Sequence, residues 1–234
     1  MIKRKNLGQH FLKSNQIAKF IVDSSNLKKS DVVYEIGIGQ GILIPFLCKN
    51  ANYVISTEKD KILYEQAIQK FSNIKNLSII HGDGFKQNEK FDIFISNLPY
   101  SQSKIAINWM LMQKFSLAII MVQYDFAKKL LSKNQDRRAI SVLSQSCFDM
   151  KILRKIGKEN FSPPPKINSV VMEFKRKSSI SKQLIQSVNL IFSFRRKKVQ
   201  TIGKYLGLEI KSDIRLDEMN NDEIIKFAKS IRNI

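Results

Sequence analysis

Two hydrophobic patterns alternate along the chain. Short apolar runs rich in β-branched and aromatic residues, such as Phe91-Asp92-Ile93-Phe94-Ile95-Ser96, read as buried strands. Between them, apolar residues recur at helical spacing, as at Ile17, Phe20, Ile21 and Leu27. The pattern predicts strands over Asp31–Ile36, Tyr53–Thr57, Leu77–His81, Phe91–Ser96 and Leu117–Gln123, and later over Met150–Ile156 and Ser169–Lys175. It predicts helices over Gln16–Leu27, from the glycines near 41 to Lys49, and over Lys59–Phe71, Ile105–Gln113, Tyr124–Ser132 and Ala139–Phe148. Trp109, Met110 and Met112 are expected at core positions of their helix. Strand and helix in alternation imply a doubly wound, mainly parallel α/β sheet, with the last two strands antiparallel at one edge. From Ser178 onward no strand is evident. The expected organisation is an α/β domain over residues 1–177, opened by a basic arm, and a small basic helical domain over 178–234.

Charge sharpens this picture. The 234 residues hold 40 Lys and Arg against 20 Asp and Glu, a formal net charge of +20. Such an excess suits a polyanionic partner, although a Lys-rich proteome would give the same count. No basic helix with a clean apolar face stands out, so nucleic acid is favoured over a membrane surface. Cys48 and Cys147 give neither a disulfide framework nor a zinc pattern. The basic start of the chain lacks an apolar signal-peptide stretch, and the apolar run Leu117–Val122 is far too short to span a bilayer. A soluble, cytoplasmic protein is expected.

Suggestive residues fall at the ends of successive predicted strands, where ligands of open α/β sheets bind. Gly37, Gly39 and Gly41 form a turn that lets backbone approach a ligand and opens a helix. Glu58 follows about twenty residues later, where an acid can accept both ribose hydroxyls. Asp83 could accept from an adenine amine. Asn97-Leu98-Pro99-Tyr100 then ends a strand with an amide, a proline that fixes the backbone, and an aromatic face. Each feature alone has a plainer reading: a tight turn, an acid at a helix start, a proline turn. Together they suit a nucleoside cofactor. The spacing Gly-x-Gly-x-Gly departs from the dinucleotide fingerprint, and the amine-holding tip favours methyl transfer from S-adenosylmethionine.

At these residues the chain resembles a known family. Glu35-Ile36-Gly37-Ile38-Gly39-Gln40-Gly41 is similar to the S-adenosylmethionine loop of class I (Rossmann-like) methyltransferases, and Asn97–Tyr100 to the motif of adenine amino-methyltransferases. Gly8-Gln9-His10-Phe11-Leu12 and the stretch Phe161-Ser162-Pro163-Pro164-Pro165-Lys166-Ile167-Asn168-Ser169 narrow the resemblance to ribosomal RNA adenine N6-dimethyltransferases of the KsgA type. The resemblance implies that His10 and Leu12 line the cofactor pocket with Gly37, Glu58, Asp83 and Asn97. It implies that Asn97, Leu98 and Pro99 hold the target amine while Tyr100 and Phe161 cover the two faces of the flipped base. Arg195, Arg196, Lys197 and Lys198 are similar to a family helix, and RNA contact is expected there. The implied substrate is a pair of adjacent adenosines near the 3′ end of small-subunit rRNA, the implied state a monomer, and no metal is required. The sequence departs after Tyr100, where Ser101-Gln102-Ser103-Lys104-Ile105 replaces the usual Asn-Ile-Ser-x-Pro. Two other readings compete: a large-subunit rRNA methyltransferase of the antibiotic-resistance type, which Leu98 disfavours, and a non-catalytic ribosome-assembly factor.

Overall fold

The computed structural model describes residues 10–133 and 137–231; Gly8, Gln9 and the predicted basic residues Lys3, Arg4 and Lys5 of the arm lie outside them. Strand β1 (Phe11–Leu12) leads into helix α1 (Asn15–Asp23), whose first turn is capped by the Ser14 hydroxyl accepting from Ile17 N–H. Then come β2 (Val32–Ile36), α2 (Ile44–Asn50), β3 (Tyr53–Glu58), α3 (Lys61–Lys70) and β4 (Leu77–His81). They are followed by β5 (Ile93–Ser96), α4 (Ser103–Met112), β6 (Leu117–Gln123), α5 (Tyr124–Leu131) and α6 (Ala139–Cys147). Two long strands, β7 (Phe148–Ile156) and β9 (Ser169–Arg176), flank the two-residue β8 (Phe161–Ser162). Helices α7 (Lys182–Ser193), α8 (Val199–Tyr205) and α9 (Asn221–Ser230) complete the described chain.

Seven strands form one sheet in the order β4-β3-β2-β5-β6-β9-β7. The first five run parallel, and β9 pairs antiparallel with both β6 and β7. Strands β2, β3, β5 and β6 are buried on both faces, which explains their long apolar runs, while β4 at the sheet edge is only partly buried. One face carries Val33, Ile95, Ile119 and Val171 against α1 and α2; the other carries Phe94, Ile120, Met172 and Phe174 against α4 and α6. Val188, Ile191, Ile202, Ile224 and Phe227 of the last three helices belong to that second apolar layer.

Local chemistry moved some boundaries. The first helix stops at Asp23 because the Ser24 N–H and hydroxyl both turn back to the Phe20 carbonyl and Asn26 enters the left-handed region at φ 47°. Met110 is buried, but Met112 is 48% exposed at the helix end, so it is not a core residue. Arg176 staples the far end of α4 to the sheet: its Nη2 donates to the carbonyls of Met110 and Gln113 at 2.6 and 2.8 Å. Its guanidinium lies 4.5 and 4.4 Å from the centroids of Phe115 and Phe148.

Phe174, fully buried on a strand with partners on both sides, should be among the costliest truncations. Phe174→Ala is expected to lose about 3–5 kcal/mol of unfolding free energy in urea, while Ile62→Ala at an exposed site should stay within about 0.5 kcal/mol of wild type.

Candidate active site

The strand order reverses between β2 and β5, which leaves a crevice at the carboxyl ends of the strands. There the structure encloses a cavity of about 480 Å³, within the ordinary range for a cofactor site. His10 and Leu12 come from β1 and its approach, Gly37 and Gly39 from the turn after β2, Glu58 from the end of β3, and Asp83 from the loop after β4. Asn97, Leu98 and Pro99 come from the tip after β5, and all of these line the one cavity.

The turn after β2 is built by backbone hydrogen bonds. Gly37 and Ile38 N–H both donate to the Thr57 carbonyl, at 2.8 and 3.0 Å. Gly37 and Gly39 have φ of 82° and 53°, values that glycine adopts without steric cost. Glu58 is 5% exposed, and its two oxygens accept from Gly39 N–H and Asp60 N–H at 2.9 Å each. A carboxylate oxygen has more than one lone pair, so both retain acceptor capacity for a ligand hydroxyl. Asp83 caps a short turn through Phe85 N–H at 3.1 Å and faces Lys59 Nζ at 3.9 Å. Beneath that loop the Tyr34 hydroxyl donates to the Gly84 carbonyl at 2.7 Å, and burial raises its pKa. Any side chain at Gly84 would collide with Thr57 and Ile36.

Three sequence expectations are corrected. Gly41 does not line the cavity: at φ 72° it closes the turn through its N–H on the Ile38 carbonyl, and a Cβ there would strike the Phe71 ring. Phe161 does not face the cavity either. In β8 it pairs with Leu12 and points inward, 1% exposed, into the apolar layer holding α1 and α2, while Ser162 points outward. The run Arg195–Lys198 is not helical. It is the connection between α7 and α8, with Lys197 N–H closing a turn on the Phe194 carbonyl and Lys198 Nζ paired to Asp213 at 2.9 Å.

Tyr100 stands at the rim rather than in the lining. Its ring stacks on His10 with centroids 5.6 Å apart and planes at 27°, and its hydroxyl shares a short hydrogen bond with Ser169 Oγ. Burial raises its pKa, against the hydrogen bond to Ser169. His10 Nδ1 in turn lies 2.8 Å from the Pro163 carbonyl. Residues Tyr100–Gln102 form a single tight turn into α4, so the Ser101–Ile105 departure spans this turn and the first residues of the helix.

In sequence Glu35 figures only as the first residue of the glycine-loop motif, with no role of its own. It is 2% exposed, lines the cavity, and accepts the Ser56 hydroxyl at 2.5 Å. Burial pushes its carboxyl up to about 8; the nearby Glu58 charge adds to this and the Ser56 bond opposes it. The available signal was an acid at the end of an otherwise apolar strand.

Because its folded value lies above the usual 4.5, the native protein keeps a proton on Glu35 that the unfolded chain releases between those two values. The stability Glu35 contributes is therefore fully present below about pH 4.5 and lost as pH rises through about 8. Glu35→Gln should remove that fall, which amounts to no more than roughly 4–5 kcal/mol. Urea midpoints of wild type and variant at pH 5 and pH 9 should converge toward acid and separate toward base; parallel midpoints would mean Glu35 stays ionised.

Known proteins bear on this geometry. The sequence profile of the family described as ribosomal RNA adenine dimethylase matches residues 2–229. A probable ribosomal RNA small subunit methyltransferase A from Methanococcus vannielii is 30% identical, with 97% of this chain and 93% of that protein aligned. The ribosomal RNA small subunit methyltransferase A of Thermotoga neapolitana is 32% identical, over 96% and 90%. Among solved structures, a dimethyladenosine transferase from Plasmodium falciparum shares the fold with a TM-score of 0.82 at 22% identity, covering 93% of this chain and 96% of that one. The 23S rRNA methyltransferase ErmE follows it at 0.69 and 19%, over 95% and 100%. With a profile match across nearly the whole chain and relatives aligned end to end, this protein belongs to the ribosomal RNA adenine dimethylase family.

Proposed function

We propose that this protein transfers methyl groups from S-adenosylmethionine to N6 of two adjacent adenosines near the 3′ end of small-subunit rRNA, dimethylating each during ribosome biogenesis. One observation carries the reading. A buried acid suited to ribose hydroxyls, Glu58, and an amine-holding tip, Asn97-Leu98-Pro99, line the same cavity. The names of the aligned relatives support the small subunit over the large. The working form would be a cytoplasmic monomer acting on a small-subunit precursor.

The residues present fit the cofactor. Glu58 would take the ribose hydroxyls, Asp83 the adenine amine, and the backbone of Gly37 and Gly39 would pass close to the chain linking them. Glu35 lines the same cavity and suits a cationic amino group. When bound, the cofactor supplies a methyl group on a sulfonium, an activated carbon with a neutral leaving group. The protein's work lies on the other reactant. The lone pair of an adenine N6 is delocalised into the ring, which makes the amine a weak nucleophile. Acceptors at the Asn97 side chain and the Leu98 carbonyl would bind its two hydrogens and favour a tetrahedral nitrogen with the lone pair free. Pro99 brings no N–H to compete and fixes the turn. Tyr100 would stack on the base from the rim. Alignment and charge stabilisation would supply the rate; the methylated nitrogen, positively charged once its bond forms, would release its proton to solvent, with no dedicated base.

The direct test offers labelled S-adenosylmethionine to unmethylated small subunits, large subunits and naked rRNA in parallel, followed by mass spectrometry of the nucleosides. N6-dimethyladenosine should appear on the small subunit; label on the large subunit instead would select the rival target. Asn97→Ala should slow single-turnover methylation by about 10²–10³-fold with cofactor affinity nearly unchanged. Equal losses in both would make Asn97 a pocket wall only. Glu58→Ala should weaken S-adenosylmethionine binding by roughly 1.5–3 kcal/mol in calorimetry, and an unchanged affinity would displace the cofactor from this cavity.

A further inference from the structure

Cations along the antiparallel edge of the sheet are held in two different ways. At the end remote from the cavity, carboxylates neutralise them. Lys151 and Lys175 both reach Glu173 Oε1, at 3.2 and 3.7 Å, and Lys177 reaches Asp149 at 3.4 Å. At the cavity end, aromatic rings hold them instead. Lys155 Nζ lies 4.5 Å from the Tyr124 ring centroid, Lys128 Nζ lies 4.8 Å from the same ring, and the Arg154 guanidinium lies 5.2 Å from the Phe20 ring. Lys128 also pairs with Asp125 at 2.9 Å, but no carboxylate among the described residues pairs with Lys155 or Arg154.

The difference matters chemically. A carboxylate consumes both the charge and the N–H donors of a lysine. A ring face steadies the cation but accepts no full hydrogen bond, so the donors remain for an anion on the outer side. Lys155 and Arg154 are exposed, and as successive residues of β7 they flank the edge of the sheet on opposite faces.

The patch is continuous with the mouth of the cavity. Lys155 sits opposite Val170 of β9, and the preceding Ser169 holds the Tyr100 hydroxyl. Tyr124 N–H donates to the carbonyl of Asn168, the residue before Ser169, at 3.1 Å. A strand whose base is turned into the cavity past Tyr100 would therefore lay its neighbouring phosphates across this rim. The Arg195–Lys198 connection is differently disposed: Lys198 is paired to Asp213, and the Arg196 carbonyl is gripped by the Arg215 guanidinium at 2.8 and 3.0 Å.

We propose that the Tyr124 rim, with Lys155 and the adjacent Arg154, is the track for the phosphates of the RNA strand flanking the target adenosine. This rests on the rRNA methyltransferase reading above.

Binding of fluorescently labelled protein to unmethylated small ribosomal subunits across a KCl series tests it. Each phosphate contact contributes about 0.7–0.9 to the slope of log affinity against log salt. The double variant Lys155→Gln with Arg154→Gln should flatten that slope by about 1.4–1.8, with S-adenosylmethionine affinity unchanged as the check on folding. The matched pair Lys151→Gln with Lys177→Gln, at the neutralised end, should leave the slope as it was. Equal slopes in wild type and the rim variant would overturn the proposal, as would equal flattening by both pairs, or a wild-type affinity indifferent to salt. Methylation of the same subunits separates this from the broader reading. If the wild type dimethylates them and only the slopes fail, the rim alone is wrong; if it leaves the adenosines untouched, both readings fall.

Discussion

Glu58 closes β3 with each carboxylate oxygen bound to a backbone N–H, one from the glycine turn and one from the start of α3. An acid this deeply buried is costly to desolvate, and hydrogen bonds from backbone N–H groups offset that cost. The bond from Gly39, with the Gly37 and Ile38 N–H groups on the Thr57 carbonyl, fixes the Gly37–Gly39 turn against the end of β3. Gly82 N–H on the Glu58 carbonyl, at 2.8 Å, brings the Asp83 loop into the same frame. Remove the carboxylate, and the turn and the α3 start lose their common tie.

A second acid, Glu35, sits one strand over, where burial and the neighbouring Glu58 both disfavour its charged form. Glu35 and Glu58 share a wall of low polarity, and the burden falls on Glu35, whose partner is a neutral hydroxyl rather than N–H groups. A buried acid that keeps its proton at neutral pH is a poor structural element on its own account. It is well suited to a cavity meant for a cation, because an arriving positive charge would stabilise the ionised form. The stacked rings of Tyr34, Phe91, Phe94 and Trp109 belong to the apolar layer on the other face of the sheet.

Much of this was readable from residue order. Strand-end positions announced Gly37, Glu58, Asp83 and Asn97, since an open sheet presents its carboxyl ends together and apolar runs mark where strands stop. What failed to show depended on tertiary partners. The inward turn of Phe161 is decided by its pairing with Leu12, far away in sequence. Gly41 looks like Gly37 and Gly39 in sequence, and only the position of Phe71 separates its role from theirs. Phe194 ends α7 through a turn that composition alone does not reveal, so a basic run that reads as helix became a connection. In β2, burial on both faces erases the alternation that would have singled out Glu35.

The short ribbon of β1 and β8 also sets a timetable for synthesis. His10 and its carbonyl partner at Pro163 are 153 positions apart, so the amino-terminal wall of the pocket waits for residues made much later. A chain emerging from a ribosome carries Gly37, Glu58 and Asn97 well before it has anything on which to fasten Phe11 and Leu12. Closing so long a loop costs entropy that the two-residue ribbon alone cannot recover, and the sheet between must assemble first. The amino-terminal wall of the cavity is thus fastened only after β8 has been made, late in the chain.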